Sequence, residues 1–243
     1  MNGNSISAGS MDAMESLTGR ILFEDNHLII VNKKASEIVQ GDKTGDQPLS
    51  ELVKAYIAEK YGKPGKVFLG VLHRIDRPVT GAVVFARTSK ALTRMNAMLR
   101  EHKLSKTYLA VVQQRPAEIT AHLSHYLLKN EKQNKSYVVK ASDRGAKKAE
   151  LVYEVLSSSD RYHLLGLRLL TGRHHQIRAQ LAAIGSPIKG DLKYGFDRPN
   201  KDGSIHLHAK HVEFMHPVSQ SMVSVDCPLP VADPLWKFFS DCL

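Results

Sequence analysis

Asp76 lies between Arg74 and Arg77 in the segment VLHRIDRPVTG, residues 71–81. Two guanidiniums beside a carboxylate favour its ionised form, and an ionised carboxylate can act as a covalent nucleophile or as a base. The segment passes from an apolar run into Pro78 and Gly81, the transition at which a strand gives way to a turn that presents a side chain at a pocket rim. A solvated surface ion pair has the same appearance in sequence and does little. Asp76 therefore needs support from elsewhere in the chain.

The densest polar segment is TGRHHQIRAQLAAIGSPIKGDLKYG, residues 171–195. Arg173, His174, His175, Gln176 and Arg178 crowd what reads as the first turns of an otherwise apolar helix closed by Gly185. On such a helix His174 and Arg178, four apart, share a face, whereas Gln176 and Arg178 do not. Polar side chains and spare N–H groups at a helix start suit a phosphate, and equally a solvated helix entry.

Histidine pairs raise the question of a metal. His174 and His175 are adjacent and diverge on a helix; His206 and His208 alternate on a strand and share a face, with His211 and His216 beyond. No H-E-x-x-H or C-x-x-C accompanies them, and no Cys or carboxylate set has ligand spacing. No metal site is assigned. The chain also has no G-x-x-x-x-G-K-[ST] loop, no G-x-G-x-x-G after a strand and no G-x-S-x-G elbow, so nucleotide hydrolysis, hydride transfer and serine hydrolysis lack their signatures.

The elements that must position these groups are legible in the apolar pattern. ILFEDNHLIIVNK reads as a hairpin turning at Asp25-Asn26. Leu49, Leu52, Val53, Tyr56 and Ile57 recur at helical spacing between Pro48 and Gly62. VFLGVL and GAVVFA read as strands, and Thr88 or Ser89 caps a helix carrying Leu92, Met95 and Leu99. KTYLAVVQ is a strand that carries Tyr108. A polar, Lys-rich stretch covers 128–148, with strand pieces near 137–140. AELVYEVL, YHLLGLRLL, IHLHAKHVEF and SMVSVDCPL are further strands, and Asp233 caps a last helix with Pro234 at its first position. Strands that succeed one another with helices scattered among them predict α+β, a mixed and mostly antiparallel sheet with flanking helices, not a doubly wound fold. Residues 20–243 read as one domain, and the polar opening 1–19 as a disordered tail.

Charge points to the partner. The 243 residues carry a formal net charge of +10, an excess that suits a polyanion, RNA or DNA first. Two cysteines, Cys227 and Cys242, both near the C-terminus, suggest no disulfide framework and fit a reducing cytoplasm. No apolar run reaches the roughly 18 residues that span a bilayer.

Taken in order, these segments resemble the RluA family of RNA pseudouridine synthases. ILFEDNHLIIVNK is similar to the family's opening hairpin and HRIDRPVTG to its catalytic turn. KTYLAVV is similar to its K-x-Y-L-A strand, residues 171–195 to its long segment opening T-G-R-T-H-Q-I-R, and LHAKHVEFMHP to its late L-H-A motif. The resemblance runs from about Ile21 to the C-terminus. It departs at Val79 and Thr80, where the family has Thr and Ser, at His174 in place of Thr, and at Gln180 in place of His.

The resemblance implies the pseudouridine synthase catalytic fold and an isomerase that converts specific uridines of ribosomal or transfer RNA stem-loops without a cofactor. The base leaves its ribose, turns over, rejoins through carbon 5 and loses the proton there. Asp76 is then the essential carboxylate, Arg178 its partner, and Tyr108 the ring that packs on the uracil and helps remove the last proton. Arg74 helps extrude the base from its stack. His73, Lys106, Arg173, His175 and Leu207 are the implied RNA and pocket contacts. Many members carry a small N-terminal RNA-binding domain; about twenty residues precede the match, too few to build one, so a member without that domain is expected. A cytoplasmic monomer is expected as well. A silent RNA-binding protein and a metal-dependent nuclease are the rival classes. Intact Asp76, Tyr108 and Arg178 speak against the first, and histidines alone support the second.

Overall fold

The computed structural model describes Glu15 and residues 17–243. The hairpin read at the start is present: β1 (Ile21–Glu24) and β2 (Leu28–Lys33) are antiparallel. The Asp25 carboxylate closes their turn by accepting from the N–H groups of His27 and Leu28, both at 2.7 Å, the local bond that makes Asp a turn former. Helix α1 (Leu49–Lys60) starts after Pro48 and buries Leu49, Val53, Tyr56 and Ile57. The expected strand at VFLGVL shrinks to β3 (Gly70–Val71), which pairs with the end of β4 (Thr80–Ala86). Thr88 caps α2 (Ser89–Arg100) through its hydroxyl, which accepts from Ala91 N.

The remaining elements are β5 (Leu104–Val112), β6 (Thr120–Asn130), β7 (Lys135–Val139), β8 (Lys147–Ser158), β9 (His163–Leu169), α3 (Gln176–Ala183), a 3₁₀ turn (Leu192–Tyr194), β10 (Leu207–Met215), β11 (Met222–Asp226) and α4 (Pro234–Ser240). Among the described residues the strands form one sheet, ordered β1-β2-β4-β10-β5-β9-β8-β6-β7, with β11 on β10 and β3 on β4. Only β4 and β10 are parallel, through the pairs Thr80–His208 and Gly81–Ala209; the other pairings are antiparallel. The α+β class and the mixed, mostly antiparallel sheet expected from the sequence are both present.

Strand alternation divides the core between the two faces of this sheet. Val83 and Phe85 of β4, with Tyr108, Ala110 and Val112 of β5, face α1 and α3. Ala82, Val84 and Ala86 face α2, while Leu109 and Val111 pack under Trp236 and Phe239 of α4. β4 is buried on both faces, which is why it reads as a continuous apolar run.

Two expectations are corrected. β6 occupies residues to which the apolar pattern assigns no strand, because only Leu123 and Leu127 of its eleven residues are buried and the alternation is diluted. The helix of the polar segment begins at Gln176, so Arg173, His174 and His175 precede it. The expected tail over 1–19 falls mostly outside the described residues; Leu17, inside them, is fully buried in the main core. No helix among the described residues is long and apolar enough to cross a membrane.

Candidate active site

The turn that carries Asp76 is clamped at three successive carbonyls. Asp76 O accepts from Val79 N at 3.0 Å, Arg77 O from Ser36 N at 3.0 Å, and Pro78 O from Ile205 N at 3.0 Å. Arg77 O also accepts from the Lys33 ammonium at 3.0 Å. Ile75 and Val79, on either side, are buried in the core. Gly81 lets β10 close in beneath the turn: its φ is +118°, and a Cβ there would lie 2.4 Å from Ala209 O. Neither the conformation nor the space admits a side chain.

Lys33 is fully buried on β2 and donates to the carbonyls of Lys34, Glu37 and Arg77 at 2.9, 2.8 and 3.0 Å. Burial pushes its pKa down to about 7, opposed by the charges of Glu37 and Asp76. Three carbonyl acceptors are satisfied together only by an ammonium with its three donors, so the geometry favours the charged form. Lys33 thus ties the first hairpin to the Asp76 turn.

The expectation that Arg74 and Arg77 support Asp76 is corrected. Arg77 pairs with Asp46 and Thr44, and Arg74 is exposed. The cation on Asp76 is Arg178, 102 residues away, whose Nη1 donates to Asp76 Oδ2 at 2.8 Å. Its other edge is spent on a residue that the sequence does not single out. Nε and Nη2 grip both oxygens of Asp191 at 2.7 and 2.8 Å, and the Asp191 side chain is 1% exposed against 27% for Asp76. Burial opposes the Arg178 charge, but Asp191 and then Asp76 outweigh it and raise its pKa. A planar fork serves two carboxylates in this way; a lysine cannot. Asp191 stands in the segment GDLKYG, and its place inside the long motif is the available signal.

Helix phase explains a second correction. His174 is not the neighbour of Arg178 on a helical face. His175, in the left-handed conformation (φ 53°) just before α3, brings Nε2 to 3.3 Å from Arg178 Nη1 and 3.4 Å from Asp76 Oδ2. The histidine rings do not diverge; they stack with centroids 3.8 Å apart. His175 Nδ1 meets Tyr194 Oη at 3.0 Å, and Tyr194 in turn accepts from Ser136 N and donates to Ser136 O. His174 is held between Ser136 Oγ and Asn134 Oδ1. Strand β7 therefore supports the site through Ser136, and Tyr194, also unforeseen, places its ring 5.0 Å from the Arg178 guanidinium.

Tyr108 is buried on the α3 side of β5, and burial with the Asp76 charge pushes its phenol upward. Lys106, two residues earlier on the same strand face, is pushed down by burial, and its charge reaches His73. His73 Nε2 accepts from Val84 N at 3.1 Å, which makes that ring a support of β4. Leu207 is a buried core residue of β10 opposite Ala110. Arg173 is exposed, with Nε on Lys148 O. The structure thus gathers Asp76, Tyr108, Arg178 and His175, and leaves Arg74 and Arg173 at the surface.

The late histidines are occupied by protein. His206 meets Asn200 and Asp233, His208 meets Thr80 and the Cys227 carbonyl, and both pack on Trp236. Among the described residues no group of three His, Cys, Asp or Glu could hold a metal ion. Burial lowers the pKa of His73 to about 3, of His175 to about 2 and of His208 to about 4. These folded values lie below the ordinary 6.5, so the unfolded chain takes up protons first as the pH falls. Their stability contribution is complete above about pH 6.5 and is lost on acidification, up to about 2 kcal/mol for each histidine at pH 5. Tm is expected to drop between pH 7 and pH 5, before most carboxylates protonate; a flat Tm over that window would overturn this.

Residues 27–183 match the family described as RNA pseudouridylate synthase. The chain is similar to the ribosomal large subunit pseudouridine synthase D of Zymomonas mobilis, at 30% identity over 86% of this chain and 69% of that protein. It is also similar to the ribosomal large subunit pseudouridine synthase C of Buchnera aphidicola, at 30% identity over 89% and 69%. Among solved structures, human RNA pseudouridylate synthase domain containing 4 shares the fold with a TM-score of 0.77, at 24% identity over 97% of this chain and 95% of that one.

Proposed function

Because the chain belongs to the RNA pseudouridylate synthase family, a family of isomerases, we propose that it converts uridine to pseudouridine in ribosomal RNA with Asp76 as the essential carboxylate. The names of its relatives support the choice of ribosomal over transfer RNA. The observation that carries the role of Asp76 is its pairing. The carboxylate is 27% exposed, open to a substrate, while Arg178 holds one oxygen at 2.8 Å from behind. Among the described residues no hydrogen bond or ion pair engages the other oxygen, which can act as nucleophile or base at the ribose–base bond. The clamped turn fixes its position before substrate arrives, which is where such a site gains rate.

Tyr108 lies near enough for its phenol to feel the Asp76 charge, and it stays protonated at neutral pH. It serves as a ring for the uracil to pack on and as a proton relay from carbon 5, not as a phenolate base. Tyr108→Phe is expected to keep the fold and RNA affinity and to slow a step after the glycosidic bond breaks. Unchanged turnover would leave Tyr108 a packing residue.

The test of the whole reading is incubation of the protein with large-subunit ribosomal RNA and with transfer RNA, with and without chelator, and then nucleoside analysis. Pseudouridine in the ribosomal RNA is expected in both conditions. Its appearance in transfer RNA alone would move the substrate, and its absence from both would overturn the activity.

A further inference from the structure

Beside the candidate active site a cleft of about 330 Å³ opens between β6, β7, the start of β8 and the residues before α3. Lys129, Lys147 and Arg173 line it with Glu131, Ser136 and His174. Lys129 is paired with Glu131 at 2.6 Å. Arg173 is steadied by the bond from Nε to Lys148 O. Among the described residues neither Lys147 nor Arg173 has a carboxylate partner. Two unneutralised cations on one cleft repel each other until an anion enters, and a guanidinium with an ammonium is the pair that phosphate chemistry uses.

The wall shared with the active site fixes which anion. His174 lines the cleft and stacks on His175 at 3.8 Å, and His175 Nε2 lies 3.4 Å from Asp76 Oδ2. One ring pair therefore separates the cleft from the reacting carboxylate. A polynucleotide that places a base at Asp76 must carry its neighbouring backbone past this wall. Leu128, partly exposed, also lines the cleft, and Gly172 adds no side chain, which leaves room and an apolar contact for a sugar.

We infer that this cleft is a subsite for the ribose-phosphate of a nucleotide flanking the target uridine, with Lys147 and Arg173 binding its phosphodiester. The inference rests on the RNA substrate proposed above, and it adds Lys147 and the β6–β7 hairpin to the recognition surface.

The test is equilibrium binding of the full chain to a large-subunit ribosomal RNA fragment across a salt series. Lys147→Gln with Arg173→Gln is expected to weaken binding about tenfold near physiological salt. It should also flatten the slope of log K against log salt by about 0.7 to 0.9, the share of the one phosphate that the two cations neutralise together. The control is Lys90→Gln with Arg100→Gln, which removes the same charge from exposed positions on α2, on the other face of the sheet. It should leave affinity and slope near parental. Unchanged Tm in both doubles shows that folding is not the cause. Parental affinity and slope in the Lys147/Arg173 double, or equal losses in the two doubles, would overturn the subsite. Absence of pseudouridine from the parental protein would instead overturn the activity, and the salt slopes would still decide the cleft.

Discussion

Asp76→Asn is expected to abolish pseudouridine formation, by on the order of a thousandfold or more, while RNA affinity stays within a few-fold of parental. The amide keeps the shape of the carboxylate and can still accept the 2.8 Å bond from Arg178 Nη1. It is neither a nucleophile nor a base. The fold should tolerate the change, because the turn is held by its backbone carbonyls and the Asp76 side chain is partly open to solvent. Arg178 also keeps its two bonds to Asp191, so the change strands no buried charge. Nucleoside analysis of RNA incubated with each protein reads the result directly. Conversion at near the parental rate would remove Asp76 from the chemistry and leave a fold that binds RNA without modifying it.

Arg178→Ala is expected to cost activity and about 3–5 kcal/mol of stability, and Asp191 is the reason for the second effect. The substitution leaves Asp76 with access to water but strands Asp191, 1% exposed, without its two-pronged partner. A loss of that size lowers Tm by on the order of 10 °C in a chain of this length. The double change Arg178→Met with Asp191→Leu removes both buried charges and should restore much of the stability and none of the activity, since Asp76 is then unsupported. Pairing Arg178→Met with Asp76→Asn should not rescue stability, because Asp191 stays stranded. Denaturant unfolding of the four proteins separates these outcomes. Arg178→Ala within 1 kcal/mol of parental would show that water or a rearranged side chain meets Asp191 in its place.

The elements set by local chemistry were legible in the residues. The Asp25 turn, the Thr88 cap of α2 and the Asp233 cap with Pro234 at the start of α4 each depend on bonds that span two or three residues. Continuous or alternating apolar runs marked β2, β4, β5 and β9 because burial on one or two faces leaves that period. β6 left no such mark, as most of its side chains meet solvent. Motif order singled out Asp76, Tyr108 and Arg178 as a set. Fold class, family and the residues of the proposed reaction were therefore readable from residue types and their order alone.

The partners that hold those residues were not, because they meet only in three dimensions. Arg74 and Arg77 flank Asp76 in the chain, yet Arg77 turns to Asp46, because the clamped turn directs neighbouring side chains apart. Arg178 reaches Asp76 across 102 residues because α3 packs on the sheet face that also carries the turn. The left-handed residue before α3 exchanges the roles of His174 and His175, a conformation that helical spacing cannot reveal. Asp191 and Tyr194, from one 3₁₀ turn, and Ser136, from β7, enter the site through burial and hydrogen-bond demand that exist only once the chain has closed around Arg178 and His175. Spacing along a chain reports contacts within an element; a buried guanidinium chooses its carboxylates by distance in space.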